Sequence, residues 1–230
     1  MPERHLLGPI ANHRFYRTGG EIRLSTKINN VLYLIGGTCA GKTTLARNLE
    51  ERGFKWIRSV TSRPKRKGEL DEYAEWVGEA EFNLRKATGE FDYVREYATH
   101  GETWQYGFRR EDLDFRLYGR YVMVGDPVSA VRALDEFDNV LMLKAMVDTI
   151  FARLEARGCS EAFIRQRLTK DAEDFDEFLR YVKRYTRHRW TWDRPMILSG
   201  PPFNMMAAPN DFESDIPEII DYIERRIPRP

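Results

Sequence analysis

Short apolar runs alternate with amphipathic segments along most of this 230-residue chain. The apolar run at residues 31–35 predicts a buried strand, and residues 44–52 predict a helix directly after it. The same order recurs toward the C-terminus, with a strand at 140–145 and a closing helix at 216–227. Such alternation predicts an α/β fold that has a mostly parallel sheet with helices on both faces.

Four segments qualify this simple pattern. Residues 59–119 interrupt it, because a hairpin of strands at 91–98 and 102–108, followed by a short helix at 111–118, predicts an inserted β-rich lobe. Apolar residues spaced by three and four over 160–188 predict one long amphipathic helix, or two with a bend. Residues 1–29 have no period and are expected to form an irregular N-terminal extension to a domain at 30–230. Residues 200–209, GPPFNMMAAP, are predicted to be a loop.

Composition narrows the class of protein only slightly. The net charge is +1, from 37 basic and 36 acidic residues, so an anion site must come from local clustering rather than from global charge. No apolar run approaches the length of about 18 residues that a membrane helix needs, and the start of the chain lacks the apolar core of a signal peptide. We therefore expect a cytoplasmic protein with no membrane partner.

A glycine-rich stretch, GGTCAGKTT from Gly36 to Thr44, joins the first predicted strand to its helix. It satisfies the phosphate-loop (Walker A) pattern G-x-x-x-x-G-K-[ST]. Glycines allow consecutive backbone N–H groups to turn toward nucleotide phosphates, and the following helix adds the positive end of its dipole. Lys42 is expected to neutralise the β and γ phosphates of ATP, and the Thr43 hydroxyl to hold Mg²⁺. The residues predicted to contact the nucleotide are Gly36, Gly37, Thr38, Cys39, Ala40, Gly41, Lys42, Thr43 and Thr44.

Further motifs follow this loop in order. A basic loop that begins at Ser59 carries Arg63 and Arg66, whose guanidinium groups can grip a phosphate in bidentate fashion. A Y-G pair stands at Tyr106, and the next apolar strand closes on Asp126. The segment RLEARGCSEAFIRQRL then supplies Arg153, Arg157 and Arg167.

Together with the phosphate loop, these motifs make the chain resemble the guanylate kinase family from residue 31 nearly to the C-terminus. The resemblance implies a P-loop NTPase fold, which is a three-layer sandwich with an inserted acceptor-binding lobe at 59–119 and a helical lid at 153–172. It implies that Thr43 and Asp126 hold Mg²⁺ or its waters. The catalytic residues that it implies are Lys42, Asp126, Arg153, Arg157 and Arg167. The residues that we place at the acceptor are Ser59, Arg63, Arg66, Tyr73, Asp92, Tyr93, Tyr106 and Phe108.

The lobe departs from the family pattern at two base-reading positions. The acid that reads the guanine edge in the family is replaced by Tyr93, and Asp92 is one residue short of that place. One step along a strand reverses the direction of a side chain, so Asp92 substitutes only if the register slips. The second base reader of the family is Phe108 here. The hairpin aromatics can instead stack on a base or form an ordinary hairpin core; they are Tyr93, Tyr97, Trp104, Tyr106 and Phe108.

The leading prediction is an ATP-dependent kinase that phosphorylates a nucleoside 5′-monophosphate, which is GMP, dGMP or a modified nucleotide. One alternative is a P-loop kinase on another acceptor, either a ribose bisphosphate or the hydroxymethyl group of a modified base in DNA. Such a hydroxyl acceptor needs a general base, for which Asp126 and Asp92 are candidates. If the acceptor is a modified base in DNA, the protein must also contact DNA. Another alternative is a non-catalytic guanylate-kinase-like binding module. The sequence leaves the oligomeric state open.

Overall fold

The computed structural model of the chain describes residues 15–18, 21–24, 28–99, 102–115, 119–143, 145–185, 196–198, 205–208 and 212–229. In chain order the strands are β1 (Phe15–Thr18), β2 (Glu21–Leu24), β3 (Ile28–Gly36), β4 (Phe54–Ile57), β5 (Val60–Thr61), β6 (Glu75–Trp76), β7 (Phe91–Thr99), β8 (Glu102–Arg109), β9 (Arg120–Val124), β10 (Phe137–Leu143), β11 (Met196–Leu198) and β12 (Met205–Ala208). The helices are α1 (Lys42–Glu51), α2 (Glu79–Ala87), α3 (Ser129–Glu136), α4 (Val147–Glu155), α5 (Glu161–Tyr185) and α6 (Phe212–Arg226). Among the described residues, no helix combines the length and the apolar character that crossing a membrane requires.

Six strands form the main sheet, in the order β11-β12-β10-β3-β9-β4. Every neighbouring pair is parallel except β11 with β12, so the predicted mostly parallel sheet is confirmed. β3 lies inside the sheet between β10 and β9, and none of its residues from Val31 to Ile35 is more than 3% exposed. A strand covered on both faces reads as a continuous apolar run, which is why this segment was recognisable from sequence.

Helices cover both faces of the main sheet and make the fold a three-layer sandwich. On one face, Val31 and Tyr33 pack in a cluster with residues of α3 and α5. On the other face, Leu32 and Leu34 pack in a cluster with residues of α1 and α6. Alternate residues of a strand point to opposite faces, so one apolar run supplies both cores.

The inserted lobe is a separate four-stranded sheet with the order β6-β5-β8-β7. β7 and β8 pair in antiparallel fashion, as the predicted hairpin requires. Helix α2 covers one face of this sheet, where Phe82 is buried against Val60 and Phe91. The opposite face is turned toward the carboxyl ends of the main strands, because side chains of β7 and β8 share a cavity with the ends of β3 and β9.

Several predicted elements differ from the structure. The segment at 111–118 is not the expected helix, because the described part forms only one turn of 3₁₀ helix at Arg110–Leu113. The expected loop at 200–209 contains β12, which lies parallel to β10 in the main sheet. The N-terminal segment contains the antiparallel hairpin β1–β2, and β3 already begins at Ile28. For β12 and the start of β3, pairing with the distant β10 decides the outcome, and local composition does not reveal such a pairing.

Candidate functional site

The glycine loop, residues Gly36–Thr43, connects the end of β3 to α1 and needs its glycines for steric reasons. A Cβ atom at Gly36 would lie 2.5 Å from the carbonyl oxygen of Leu143 on β10. Gly41 has φ +89° immediately before Lys42, the first residue of α1, and this left-handed conformation is costly for other residues. The loop is therefore held close to the sheet, with its backbone N–H groups at the amino end of a helix.

Lys42 is folded back over the loop. Its Nζ donates hydrogen bonds of 2.7 Å to the carbonyl oxygens of Gly36 and Gly37. Burial lowers the pKa of Lys42 to about 8, although the nearby carboxylate of Asp171 acts in the opposite direction. The ammonium group thus lies inside the loop, where the phosphates of a bound nucleotide would meet it.

The loop already holds an anion, which is the side chain of Asp171 on α5. Asp171 Oδ2 accepts a hydrogen bond of 2.6 Å from the backbone N–H of Thr38, and Asp171 itself is buried. Arg167, one helical turn earlier on α5, lies 3.4 Å from Oδ1 of the same carboxylate. A phosphate oxygen is also an acceptor for such a backbone N–H, so the loop has the chemistry to bind ATP phosphates.

The three arginines of the predicted lid segment at 153–172 reach the loop to different extents. Arg153 Nη1 donates a hydrogen bond of 2.8 Å to the carbonyl oxygen of Cys39. Arg167 Nε donates to the Thr38 hydroxyl, and Arg167 also lines the cavity described below. Arg157 is exposed beyond the end of α4, and its charge opposes the rise in the pKa of the Cys39 thiol that burial causes.

Asp126 follows β9 and is buried beside the glycine loop. Its Oδ1 accepts hydrogen bonds from the backbone N–H groups of Val128 and Ser129, at 2.9 and 3.0 Å, and its Oδ2 accepts one from the Ser129 hydroxyl. The carboxylate therefore caps the start of α3. Asp126 and Thr43 line one cavity. Mg²⁺ is usually held by one or two protein oxygens together with substrate phosphates, so these two groups fit the ion's preference for oxygen ligands.

A cavity of about 180 Å³ lies between the glycine loop and the inserted lobe. The loop contributes Gly36, Lys42 and Thr43 to its wall, and the ends of the main sheet contribute Asp126 and neighbouring residues. Of the residues that the sequence placed at the acceptor, those lining the cavity are Ser59, Tyr73, Tyr93, Tyr106 and Phe108. The structure thus brings three of the predicted nucleotide-contacting residues and five of the predicted acceptor residues to one cleft.

The predicted phosphate-gripping pair, Arg63 and Arg66, does not line this cavity. The side chain of Arg63 is only 3% exposed and donates to both carboxylate oxygens of Glu69, at 2.7 and 2.8 Å, and to the Pro64 carbonyl oxygen. Arg66 is exposed, and its backbone N–H donates to Glu69. The expectation that both guanidinium groups face the acceptor is not met in this structure, because Glu69 satisfies the donors of Arg63.

The side chains at the two base-reading positions, Tyr93 and Phe108, are engaged within the protein and do not offer the hydrogen bonds that would recognise a guanine base. The Tyr93 hydroxyl donates to Glu136, and the rings of Tyr93 and Phe108 belong to the core next to the main sheet. Asp92 lies outside the cavity, where its carboxylate is paired with Arg132. Among these aromatics the core interpretation holds for Tyr93 and Phe108, although both also touch the cavity.

A β-bulge in β7 explains why Arg95, which sequence reasoning missed, lies on the cavity wall. The register with β8 shifts between Asp92 and Arg95, and Tyr93 has φ +50°. The extra residue reverses the alternation of side chains along the strand. Arg95 and Tyr97 consequently face the cavity, whereas the sequence pattern gave no sign of a role for Arg95.

Asp171 was missed for a different reason. Its spacing of four from Arg167 indicates a helical ion pair, but its contact with Thr38 joins residues 133 positions apart. Only the packing of α5 over the loop brings the two together. Among the described residues, no group of three or more His, Cys, Asp or Glu side chains is arranged to hold a metal ion by itself.

The parallel sheet, the glycine loop at the carboxyl end of a central strand and the inserted lobe define a P-loop NTPase type of fold. A search of solved structures agrees: the chain is similar to guanylate kinase from Anaplasma phagocytophilum, with a TM-score of 0.54 and 18% sequence identity over 88% of each chain. This similarity shows that the chain has a guanylate-kinase-like fold. No protein-family model matches the sequence, and no curated protein matches it.

Proposed function

We propose that this chain is an ATP-dependent phosphotransferase of the guanylate kinase type, which transfers the γ-phosphate of ATP to a nucleoside 5′-monophosphate. One observation carries the proposal. Lys42 and Thr43 of the glycine loop line the same cavity as Ser59, Tyr73 and Tyr106 of the inserted lobe. Phosphoryl transfer depends mainly on such placement and on neutralisation of charge.

On the donor side, the backbone N–H groups of the glycine loop and the ammonium of Lys42 would hold the β and γ phosphates. The Asp171 carboxylate would release the Thr38 N–H as the phosphates arrive, because the carboxylate and a phosphate oxygen compete as acceptors for that one donor. Thr43 and Asp126 would hold Mg²⁺, which supplies neutralisation of negative charge on the phosphates. Arg167 and Arg153, which already contact the loop, would stabilise the charge on the transferred group.

On the acceptor side, the lobe would position an oxygen of the acceptor phosphate in line with the γ-phosphorus. A bond forms from that oxygen to the γ-phosphorus, and the bond from the γ-phosphorus to the β–γ bridging oxygen breaks, so ADP leaves with the electron pair. The acceptor oxygen is already ionised and needs no general base. No proton transfer to Asp126 is therefore required, and its carboxylate oxygens can keep the hydrogen bonds that they accept from Val128 and Ser129.

The test is a panel of ribo- and deoxynucleoside 5′-monophosphates incubated with ATP and Mg²⁺, in which ADP formation is compared with an ATP-only control. We expect ADP above the control for at least one acceptor and its loss in Lys42→Ala. Equal ADP formation in the wild type, in Lys42→Ala and in the ATP-only control would reject the proposal. Lack of any ATP affinity would instead support the non-catalytic binding module.

A second candidate is a kinase that acts on another acceptor, such as a ribose bisphosphate or the hydroxymethyl group of a modified base in DNA. The observation in its favour is that the two base-reading positions hold Tyr93, whose hydroxyl is bonded to Glu136, and the apolar Phe108. Aromatic side chains stack on bases of any kind. Transfer from γ-labelled ATP to polymer or to a sugar phosphate, with no label on mononucleotides, would favour this candidate.

A further inference from the structure

Arg95 belongs to no motif that the sequence reveals, yet it lies on the cavity wall beside the predicted catalytic groups. The bulge in β7 turns it toward the cavity. Its guanidinium reaches two buried carboxylates on other elements: Nε lies 3.4 Å from Oδ1 of Asp126, and Nη2 donates at 3.3 Å to Oδ1 of Asp174 on α5.

These contacts leave the donors of Arg95 incompletely used. Both distances exceed the range of about 2.7–2.9 Å that is typical of charge-assisted hydrogen bonds between guanidinium and carboxylate. The Nε atom is buried and donates no hydrogen bond to any residue that the structure describes. A buried donor without an acceptor is costly. Since Arg95 lines the cavity, an anion bound there would offer its guanidinium an additional acceptor.

A second guanidinium, that of Arg167, lies against the same aromatic ring as Arg95. The ring centroid of Tyr97 is 5.2 Å from the Cζ of Arg95 and 4.9 Å from the Cζ of Arg167. Lys42 lines the same cavity. Three cationic side chains, from the lobe, the lid helix and the glycine loop, therefore surround one small space, and two of them lie against one aromatic ring.

We propose that Arg95, together with Arg167, binds the phosphate of the acceptor, and that the acceptor is consequently a phosphomonoester rather than an uncharged alcohol. This inference rests on the proposed function, because it names the group that holds its substrate. It replaces Arg63 in that role, since the guanidinium of Arg63 is buried and bonded to Glu69. Two arginines suit a phosphate because each can donate two parallel hydrogen bonds to its oxygens.

The experiment compares the binding of 5′-monophosphates with that of the matching nucleosides, by calorimetry, for the four deoxynucleoside pairs. The wild type is expected to prefer at least one monophosphate over its nucleoside by more than about tenfold. Arg95→Gln is expected to reduce that preference about tenfold to a hundredfold, because it removes a guanidinium that would contact the phosphate and not the nucleoside. Arg95→Lys, which keeps a charge without the planar fork, should retain part of the preference.

Arg165→Gln is the matched control, because it removes the same charge from the solvent-facing side of α5, where Arg165 is 72% exposed. It should leave the preference intact. A purely structural role for Arg95 would lower the melting temperature and weaken nucleoside and monophosphate binding equally, and that pattern overturns the inference. The inference is also overturned if Arg66→Gln abolishes the preference for the monophosphate while Arg95→Gln keeps it, or if the wild type shows no such preference.

Failure of the inference and failure of the proposed function give different results. If the chain transfers phosphate to a monophosphate and Arg95→Gln changes neither the rate nor the KM, the proposed function stands and the role of Arg95 is rejected. Absence of transfer in the wild type, together with a monophosphate preference that depends on Arg95, keeps the binding site and rejects the kinase.

Discussion

The carboxylate of Asp171 occupies the Thr38 N–H of the glycine loop, so its removal should strengthen the ATP binding that we propose for this loop. Asp171 Oδ2 accepts the Thr38 N–H at 2.6 Å, and Oδ1 lies 3.4 Å from Arg167. The triphosphate must displace this group before it can use the same N–H. We therefore expect Asp171→Asn, which keeps the shape and removes the charge, to bind ATP more tightly.

The size of the effect follows from the bond that is weakened. A hydrogen bond to a charged group contributes about 1.5–3 kcal/mol and one between neutral groups about 0.5–1.5 kcal/mol, so the substitution removes about 1–2 kcal/mol of competition. At about 1.4 kcal/mol per tenfold, the dissociation constant for ATP should fall about fivefold to thirtyfold. Repulsion between carboxylate and phosphate acts in the same direction and is screened by salt, so the gain should be larger at low ionic strength.

The assay is equilibrium displacement of a fluorescent ATP analogue by unlabelled ATP, with Mg²⁺, at two salt concentrations. Asp176→Asn is the control, because Asp176 lies on the exposed side of the same helix and the charge change is identical. The reasoning is refuted if Asp171→Asn unfolds at the wild-type temperature and yet binds ATP no more tightly than the wild type does. That result would mean that Asp171 organises the loop rather than obstructing it.

Three further predictions test the loop and the lobe. Burial lowers the pKa of Lys42 to about 8, so its ammonium group loses a proton as the pH rises through that value. ATP affinity should therefore be constant near pH 7 and fall above pH 8. Asp171→Asn should move this fall to lower pH, since the Asp171 carboxylate favours the charged form of Lys42. Gly36→Ala should lower the free energy of unfolding by about 2 kcal/mol or more in urea titrations, because a Cβ would lie 2.5 Å from a backbone oxygen. Gly78→Ala, where a Cβ meets nothing within 4 Å, should change it by less than about 0.5 kcal/mol. Glu69→Gln should destabilise the chain by about 2 kcal/mol, with Arg63 left buried beside a neutral partner, and an unchanged urea midpoint would contradict the importance of that ion pair.

Local sequence signals were sufficient for the fold class and for the position of the glycine loop. The alternation of apolar runs and amphipathic segments predicted the parallel sheet, and the apolar run at 31–35 is the buried middle of β3. The glycine pattern predicted a loop between strand and helix, and α1 begins at Lys42. These features depend on neighbouring residues only, because strand burial and helix starts are read from spacings of two to four positions.

The surroundings of the predicted arginines could not be read in that way. Arg63 has the spacing of a phosphate ligand, but Glu69, six positions later, satisfies its guanidinium in the folded lobe. Arg95 has no motif, and one bulged residue in β7 turns it to the cavity. A bulge changes which face of a strand a residue occupies without any marked change in composition.

The sequence by itself determined the alternation of strands and helices behind the parallel sheet, the glycine loop with Lys42 and Thr43, and the presence of an inserted lobe. Tertiary structure alone decided that Asp171 occupies the loop, that Arg95 and Arg167 meet at the ring of Tyr97, and that residues 205–208 complete the sheet. The physical reason is distance along the chain. Periodicity and short motifs encode contacts within a few residues, whereas the contact between Thr38 and Asp171 spans 133 positions and exists only once α5 has packed over the sheet.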